Sequence, residues 1–283
     1  MNTFKEFTIS SKPFLPEVLQ GILWQLDISG IQEEDNYLKV FCEKAESVNQ
    51  TVISKKLQLL VKEKVIESFK VEEKVLENKN WNEEWEKSRE VIEVSEKLII
   101  KPSFKEYSVK PNQIVITIDP KMSFGTGEHQ STKLSLLFLG KYVKNGMKIL
   151  DVGTGTAVLA IASIKLGADK VIAIDNDQWC YENSMENCEV NSVNDKVEIR
   201  LCEINDVAEQ EFDLIVANIQ RDILLQIKDE IRHRLAKNGL LILSGLLIQD
   251  KEEIQAAYNK LNFSLLECKV SDEWISMTFQ LNK

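Results

Sequence analysis

The residues best suited to chemistry lie in four short segments of the C-terminal two thirds. Asp151-Val152-Gly153-Thr154-Gly155-Thr156-Ala157 joins a short apolar run, Ile149-Leu150, to an apolar stretch at 158–166 that Gly167 stops. Asp175 ends the next apolar run, 171–174, and Asn218 follows another, 212–217. Upstream, a loop from Asp119 to Thr132 contains Phe124-Gly125-Thr126-Gly127 and His129, and precedes inward-facing Leu134, Leu137 and Phe138. A carboxylate, a glycine turn, a second carboxylate and an amide are the groups needed to hold a nucleoside cofactor beside a nucleophile.

Two cofactor classes compete for the glycine turn. A nicotinamide dinucleotide wants G-x-G-x-x-G, because its pyrophosphate sits on bare backbone amides at a helix start. The third glycine position here is Val158, so that pattern fails. S-adenosylmethionine has no phosphate; it needs close backbone approach, which Gly153 and Gly155 permit. Its ammonium favours a carboxylate, and Asp151 directly precedes the glycines. Asp175 is placed to accept both ribose hydroxyls of either cofactor. A sharp turn without ligand is the plain alternative. Asp177 reads as a helix cap, and 202–206 as a border for the adenine. The amide of Asn218 suits an amine nucleophile, whose N–H it can accept; a turn asparagine is the alternative. The glycines around Thr126 make a mobile loop able to lie over a ligand, with Phe124 as lid or core. Ser131 or Thr132 is the expected cap of the next helix, and His129 a structural hydrogen bonder rather than a catalyst.

These residues need a scaffold. From Lys148 the chain alternates strand and helix, with strands at 149–150, 171–174, 197–201, 212–217 and 240–243, a helix at 252–261, and a hairpin at 264–270 and 274–281. Strand–helix–strand crossovers build a parallel sheet, whose ligands bind at the carboxyl ends of the strands. The first 76 residues read strand, helix, strand, strand, helix, strand, a ferredoxin-like α+β arrangement. They carry no catalytic constellation, which leaves substrate recognition by elimination. Residues 77–99 read as a linker, with Trp81 and Trp85 one turn apart as an interdomain anchor, and 100–283 as the catalytic domain.

A chain of 283 residues is long for one core and suggests these two domains. The formal charge of −10 disfavours nucleic acid, whose phosphates repel it, and suits a basic partner. The five cysteines are scattered without a C-x-x-C pair and read as reduced thiols; with two histidines, no metal site is expected. No apolar run reaches membrane-spanning length, and the first residues lack the apolar core of a signal peptide, so a cytoplasmic location is expected, with no membrane contact.

Taken together, Asp119-Pro120, Phe124-Gly125-Thr126-Gly127, His129 and Ser131-Thr132 resemble the D-P-G-x-A-F-G-T-G-x-H-x-T-T signature of the ribosomal protein L-eleven methyltransferases. The resemblance continues through Asp151 to Gly155, Asp175, Ala217-Asn218-Ile219, Ser244-Gly245 and the linker tryptophans. It implies a Rossmann-like class I methyltransferase domain after the ferredoxin-like one. It implies S-adenosylmethionine-dependent N-methylation of lysine side chains or the terminal amine of a basic large-subunit ribosomal protein, gripped by the N-terminal domain. Carried onto matching positions, Thr132, Gly153, Asp175 and Asn218 would contact the cofactor. Departures are Lys121, Ser123, Ser131, Gln220, and Ala157 in place of the turn's last glycine, whose added methyl is expected to crowd the helix start. A monomer is expected. The alternatives are another protein or small-molecule substrate, or a ribosome-binding module without catalysis.

Overall fold

The computed structural model describes residues 4–42, 48–76, 90–119, 121 and 123–282. The chain divides into two compact units, Met1–Trp81 and Asn82–Lys283. Trp81, Trp85 and Pro120 lie outside the described residues.

In the first unit, period-two burial sets the sheet. On β3 (Tyr37–Cys42) Leu38, Val40 and Cys42 are buried and alternate with half-exposed residues. On β1 (Phe4–Lys12) Phe7 and Ile9 do the same. They pack with Leu19 and Leu23 of α1 (Pro16–Leu23) and Ile53 and Leu57 of α2 (Gln50–Lys62). Pro16 opens α1, and the Asn49 side chain caps α2 by accepting from the Val52 amide at 3.0 Å. With β2 (Gly30–Glu34) and β4 (Ser68–Leu76), the antiparallel order is β2-β3-β1-β4, the ferredoxin-like arrangement.

The second unit begins with a small sheet, β5 (Ile92–Glu93), β6 (Leu98–Lys101) and β7 (Ile114–Thr117), so the end of the expected linker is strand. Helix α3 (Gln130–Tyr142) leads into β8 (Lys148–Val152), α4 (Val158–Lys165), β9 (Lys170–Asp175), α5 (Gln178–Val190), β10 (Val197–Leu201) and β11 (Phe212–Asn218). Then come α6 (Arg221–Gln226), α7 (Lys228–Arg234), β12 (Leu235–Leu247), α8 (Lys251–Asn259), β13 (Phe263–Ser271) and β14 (Trp274–Leu281). The seven strands order as β10-β9-β8-β11-β12-β14-β13. Only β14 runs against the rest. The central strands are apolar almost throughout because both faces are covered: Ile149, Val171 and Val216 face one core, Leu150, Ile172 and Ile215 the other.

Two differences from the sequence reading have local causes. β12 is far longer than the apolar run at 240–243, because Leu235 already pairs with Phe212 ahead of a register shift and its end continues past Ser244-Gly245 through a second one. α6 and α7 were not foreseen; each is barely two turns, too short for a helical period to stand out.

Candidate active site

The chain leaves β8 toward β9 and β10 on one side, then crosses to β11 and β12 on the other. The carboxyl ends of β8 and β11 therefore flank the crevice where such sheets bind ligands. A cavity of about 640 Å³ opens there, lined by Gly153, Gly155, Asp175, Asn218, Phe124 and His129 among others. Cys202, Glu203, Ile204 and Asn205, from the segment expected to border the adenine, also line it.

The glycine turn is built for close packing. Gly153 and Gly155 have φ of 73° and 55°. A Cβ on Gly153 would come within 2.4 Å of Ile219 Cγ2, and one on Gly155 within 2.3 Å of the Phe124 carbonyl oxygen. Beyond leaving room for a ligand, the two glycines let the Asn218-Ile219 segment and the upstream loop press onto the turn. Ala157, also left-handed at φ 65°, is the residue before α4. Its methyl is buried in the core, so the departure from glycine appears as backbone strain rather than crowding.

The two carboxylates differ. Asp175 reaches the cavity and is fixed by the turn it serves: the Gly155 amide donates to Oδ2 at 2.9 Å and the Asp177 amide to Oδ1 at 3.1 Å. Each oxygen keeps accepting capacity for a hydroxyl. Asp151 was expected to face the cofactor's ammonium. It is instead fully buried beneath the turn and does not line the cavity; its Oδ2 accepts from the Thr154 hydroxyl at 2.7 Å. Burial pushes its carboxyl up to about 7, the Thr154 hydroxyl opposing and the charge of Asp175 adding to the rise. Asp177 caps α5, accepting from the Trp179 and Cys180 amides at 2.7 and 3.1 Å.

Asn218 ends β11, opposite Ser244 in the register with β12. Its Nδ2 donates to Thr132 Oγ1 at 3.3 Å. Its Oδ1 is buried and has no hydrogen-bond partner among the described residues. Thr132, expected at the cofactor, is fully buried and does not line the cavity; it holds Asn218. Ser131 O accepts from the Ser244 hydroxyl at 2.9 Å, tying the start of α3 to β12.

The described part of the loop makes hydrogen bonds to the glycine turn. The Thr156 amide donates to Phe124 O at 2.9 Å and its hydroxyl to Gly125 O at 2.7 Å. Gly127 packs against Ile100, and the Thr126 hydroxyl accepts from the Glu128 amide at 3.3 Å. The cap of α3 is His129, not Ser131 or Thr132: the helix starts at Gln130, which puts both hydroxyls inside its first turn. His129 Nδ1 accepts from the Ser131 amide at 3.3 Å and lies 2.8 Å from the Ser131 hydroxyl. The ring lies edge-on to Trp274 at 4.4 Å between centroids and 5.3 Å from Phe124. Trp274, at the start of β14, lines the same cavity and was missed. A lone tryptophan at a hairpin turn carries no local signal; only the sheet order brings it to Asn218's side.

Six parallel strands, one reversed strand next to last in order, and a glycine turn between two carboxylates at the switch point define a Rossmann-like methyltransferase of class I. The model of the family described as ribosomal protein L11 methyltransferase (PrmA) matches residues 11–282. Ribosomal protein L11 methyltransferases of Chlorobaculum parvum and Chlorobaculum tepidum are 37% and 36% identical over 266 residues, covering 93% of this chain and 91% of each relative. The crystal structure of ribosomal protein L11 methylase from Lactobacillus delbrueckii subsp. bulgaricus, 30% identical, superposes with a TM-score of 0.65 over 69% of this chain and all of that one. The chain belongs to the ribosomal protein L11 methyltransferase family.

Proposed function

We propose that this enzyme transfers methyl groups from S-adenosylmethionine to amines of ribosomal protein L11, lysine side chains or the terminal amine. The observation that carries the reading is the Asn218 amide at the end of β11, its nitrogen donated to Thr132 and its buried oxygen left without a hydrogen-bond partner among the described residues.

The residues present fit the cofactor: the cavity is large enough, the glycine turn projects no side chain, and Asp175 keeps acceptor sites beside it. When bound, S-adenosylmethionine supplies a methyl group already activated by a positive sulfur. Asp175 would take the ribose hydroxyls, and the Gly153–Gly155 turn the methionine portion. Asp151, one layer down, would answer the ammonium through the turn, its carboxyl ionising as positive charge arrives above it.

For the acceptor, the chain's part is to strip water and orient. A lysine with an ordinary pKa of about 10.4 loses its proton more readily once desolvated. The aromatic wall of Phe124, His129 and Trp274 supplies that dry surface. Asn218 Oδ1 then accepts an N–H of the neutral amine and aims its lone pair. No general base is required, which agrees with His129 spending Nδ1 on a helix cap. The protein is proposed to act as a cytoplasmic monomer without metal or nucleic-acid specificity, its first unit gripping the basic substrate.

Incubation with labelled S-adenosylmethionine and purified L11 or large ribosomal subunits tests the assignment. Label in L11 amines is expected; label elsewhere, or none with cofactor bound, would overturn it.

A further inference from the structure

Helix α5 presents Asn183 and Asn187, and Asn191 caps its end, in a buried row four residues apart. None of these asparagines touches the cavity. They hold the chain that enters the loop. The Thr117 amide donates to Asn191 Oδ1 at 2.9 Å, and Asn191 Nδ2 donates back to Thr117 O at 2.6 Å. Two residues on, the Asp119 amide donates to Asn187 Oδ1 at 2.9 Å and Asn183 Nδ2 donates to Asp119 O at 2.8 Å. The spacing is a pitch match: two extended residues advance about 6.6 Å and four helical residues about 6 Å. The side chains thus serve as a partner strand for backbone that has run past β7.

Asn187 does one thing more. Its Nδ2 donates to Thr156 O at 3.1 Å. Thr156 in turn holds Phe124 O and Gly125 O through its amide and hydroxyl. One side chain therefore joins the start of the loop to the glycine turn, and the next joins the turn to the middle of the loop. Asparagine is a weak helix former, and apolar residues would fill this face more simply. What the amides add is direction: Asn187 and Asn191 have both ends of their amides paired, while Asn183 leaves its buried Oδ1 without a partner among the described residues, and paired buried amides fix one arrangement of the backbone they bind.

We propose that Asn187 and Thr156 are positioning residues for methyl transfer, seating Phe124 and His129 against the glycine turn ahead of the acceptor's arrival. The proposal rests on the functional reading above.

The test compares Thr156→Val, Thr156→Ser and Asn187→Ala with the parent chain, using S-adenosylmethionine and ribosomal protein L11. Turnover, cofactor affinity by calorimetry and hydrogen exchange of the amides at 123–129 are measured together. Thr156→Val and Asn187→Ala are expected to speed exchange about tenfold or more and to lower kcat about 10- to 100-fold. Cofactor affinity should stay within about threefold, and Thr156→Ser should restore both other readouts. Thr156→Val keeps the side chain's volume and carries the test alone if Asn187→Ala does not fold. Unchanged exchange or turnover in Thr156→Val overturns the proposal, as does Thr156→Ser behaving like valine or a loss confined to cofactor affinity. A parent chain inactive on L11 overturns the functional reading instead, and the exchange measurement still decides the clamp.

Discussion

The two sides of the cleft are made in opposite ways. The side assigned to the donor comes from one strand–turn–helix–strand unit, Asp151 to Asp177, whose members bind one another within that single unit: Thr154 to Asp151, Gly155 to Asp175, Asp177 to Asp175. The side assigned to the acceptor is gathered from distant segments: Thr132 from the start of α3, Asn218 from the end of β11, Trp274 from the hairpin. A local unit can bind a common cofactor in many proteins. An assembled wall exists only in the finished fold, and that is where selectivity for one acceptor can be written.

If the two sides are separable, substitutions should split binding from turnover. The largest effect is expected for Asn218→Ala, which removes the unpartnered carbonyl: kcat on L11 should fall about 100- to 1,000-fold, well beyond any loss of cofactor affinity read by calorimetry. Equal turnover would remove Asn218 from the acceptor side. Asp175→Ala should do the reverse, weakening the cofactor about 10- to 100-fold through lost charged hydrogen bonds; full affinity in the same calorimetric titration would reject the ribose assignment.

Asp151 gives a smaller, pH-dependent split. With a carboxyl at about 7 in the folded chain, well above the ordinary value, the folded state keeps a proton that the unfolded chain releases. The stability this group contributes is full below about pH 4 and is lost as pH rises through about 7. Relative to Asp151→Asn, the cofactor-free parent should therefore lose stability across that window, which urea unfolding of both proteins at a series of pH values measures. A difference constant with pH would show that Asp151 ionises normally.

The smallest effect is expected at Ala157. Returning glycine relieves a left-handed alanine, worth about 1–2 kcal/mol, against the extra unfolded-state freedom and the lost buried methyl. A net gain below about 1 kcal/mol is expected in the urea midpoint, with turnover unchanged. Clear destabilisation would mean that the methyl's packing outweighs the strain.

The side assigned to the donor was legible for a physical reason: its groups belong to one strand–turn–helix–strand unit, so residue type and spacing express the geometry. Asp175 and the glycines line the cavity at the turn their pattern marked, and Asn218 was singled out because it ends an apolar strand. The depth of Asp151 and Thr132 was not legible, since a side chain's burial depends on what packs over it. The loop's glycines read as mobility, whereas Thr156 and Asn187 supply hydrogen bonds that no local pattern announces. His129's capping role turned on where α3 begins, a shift of two residues.

By itself the sequence determined the alternation of strand and helix, the ferredoxin-like order of the first unit, the turn chemistry that excludes a dinucleotide, and the family signature. These are properties of periodicity and adjacency, which a linear string carries. The tertiary structure alone decided that Trp274 stands beside His129, that Thr132 reaches Asn218, and that an asparagine row replaces a strand partner at Asp119. Those contacts join residues far apart in the chain, and only the order of strands in the sheet and the packing of helices on it bring them within bonding distance.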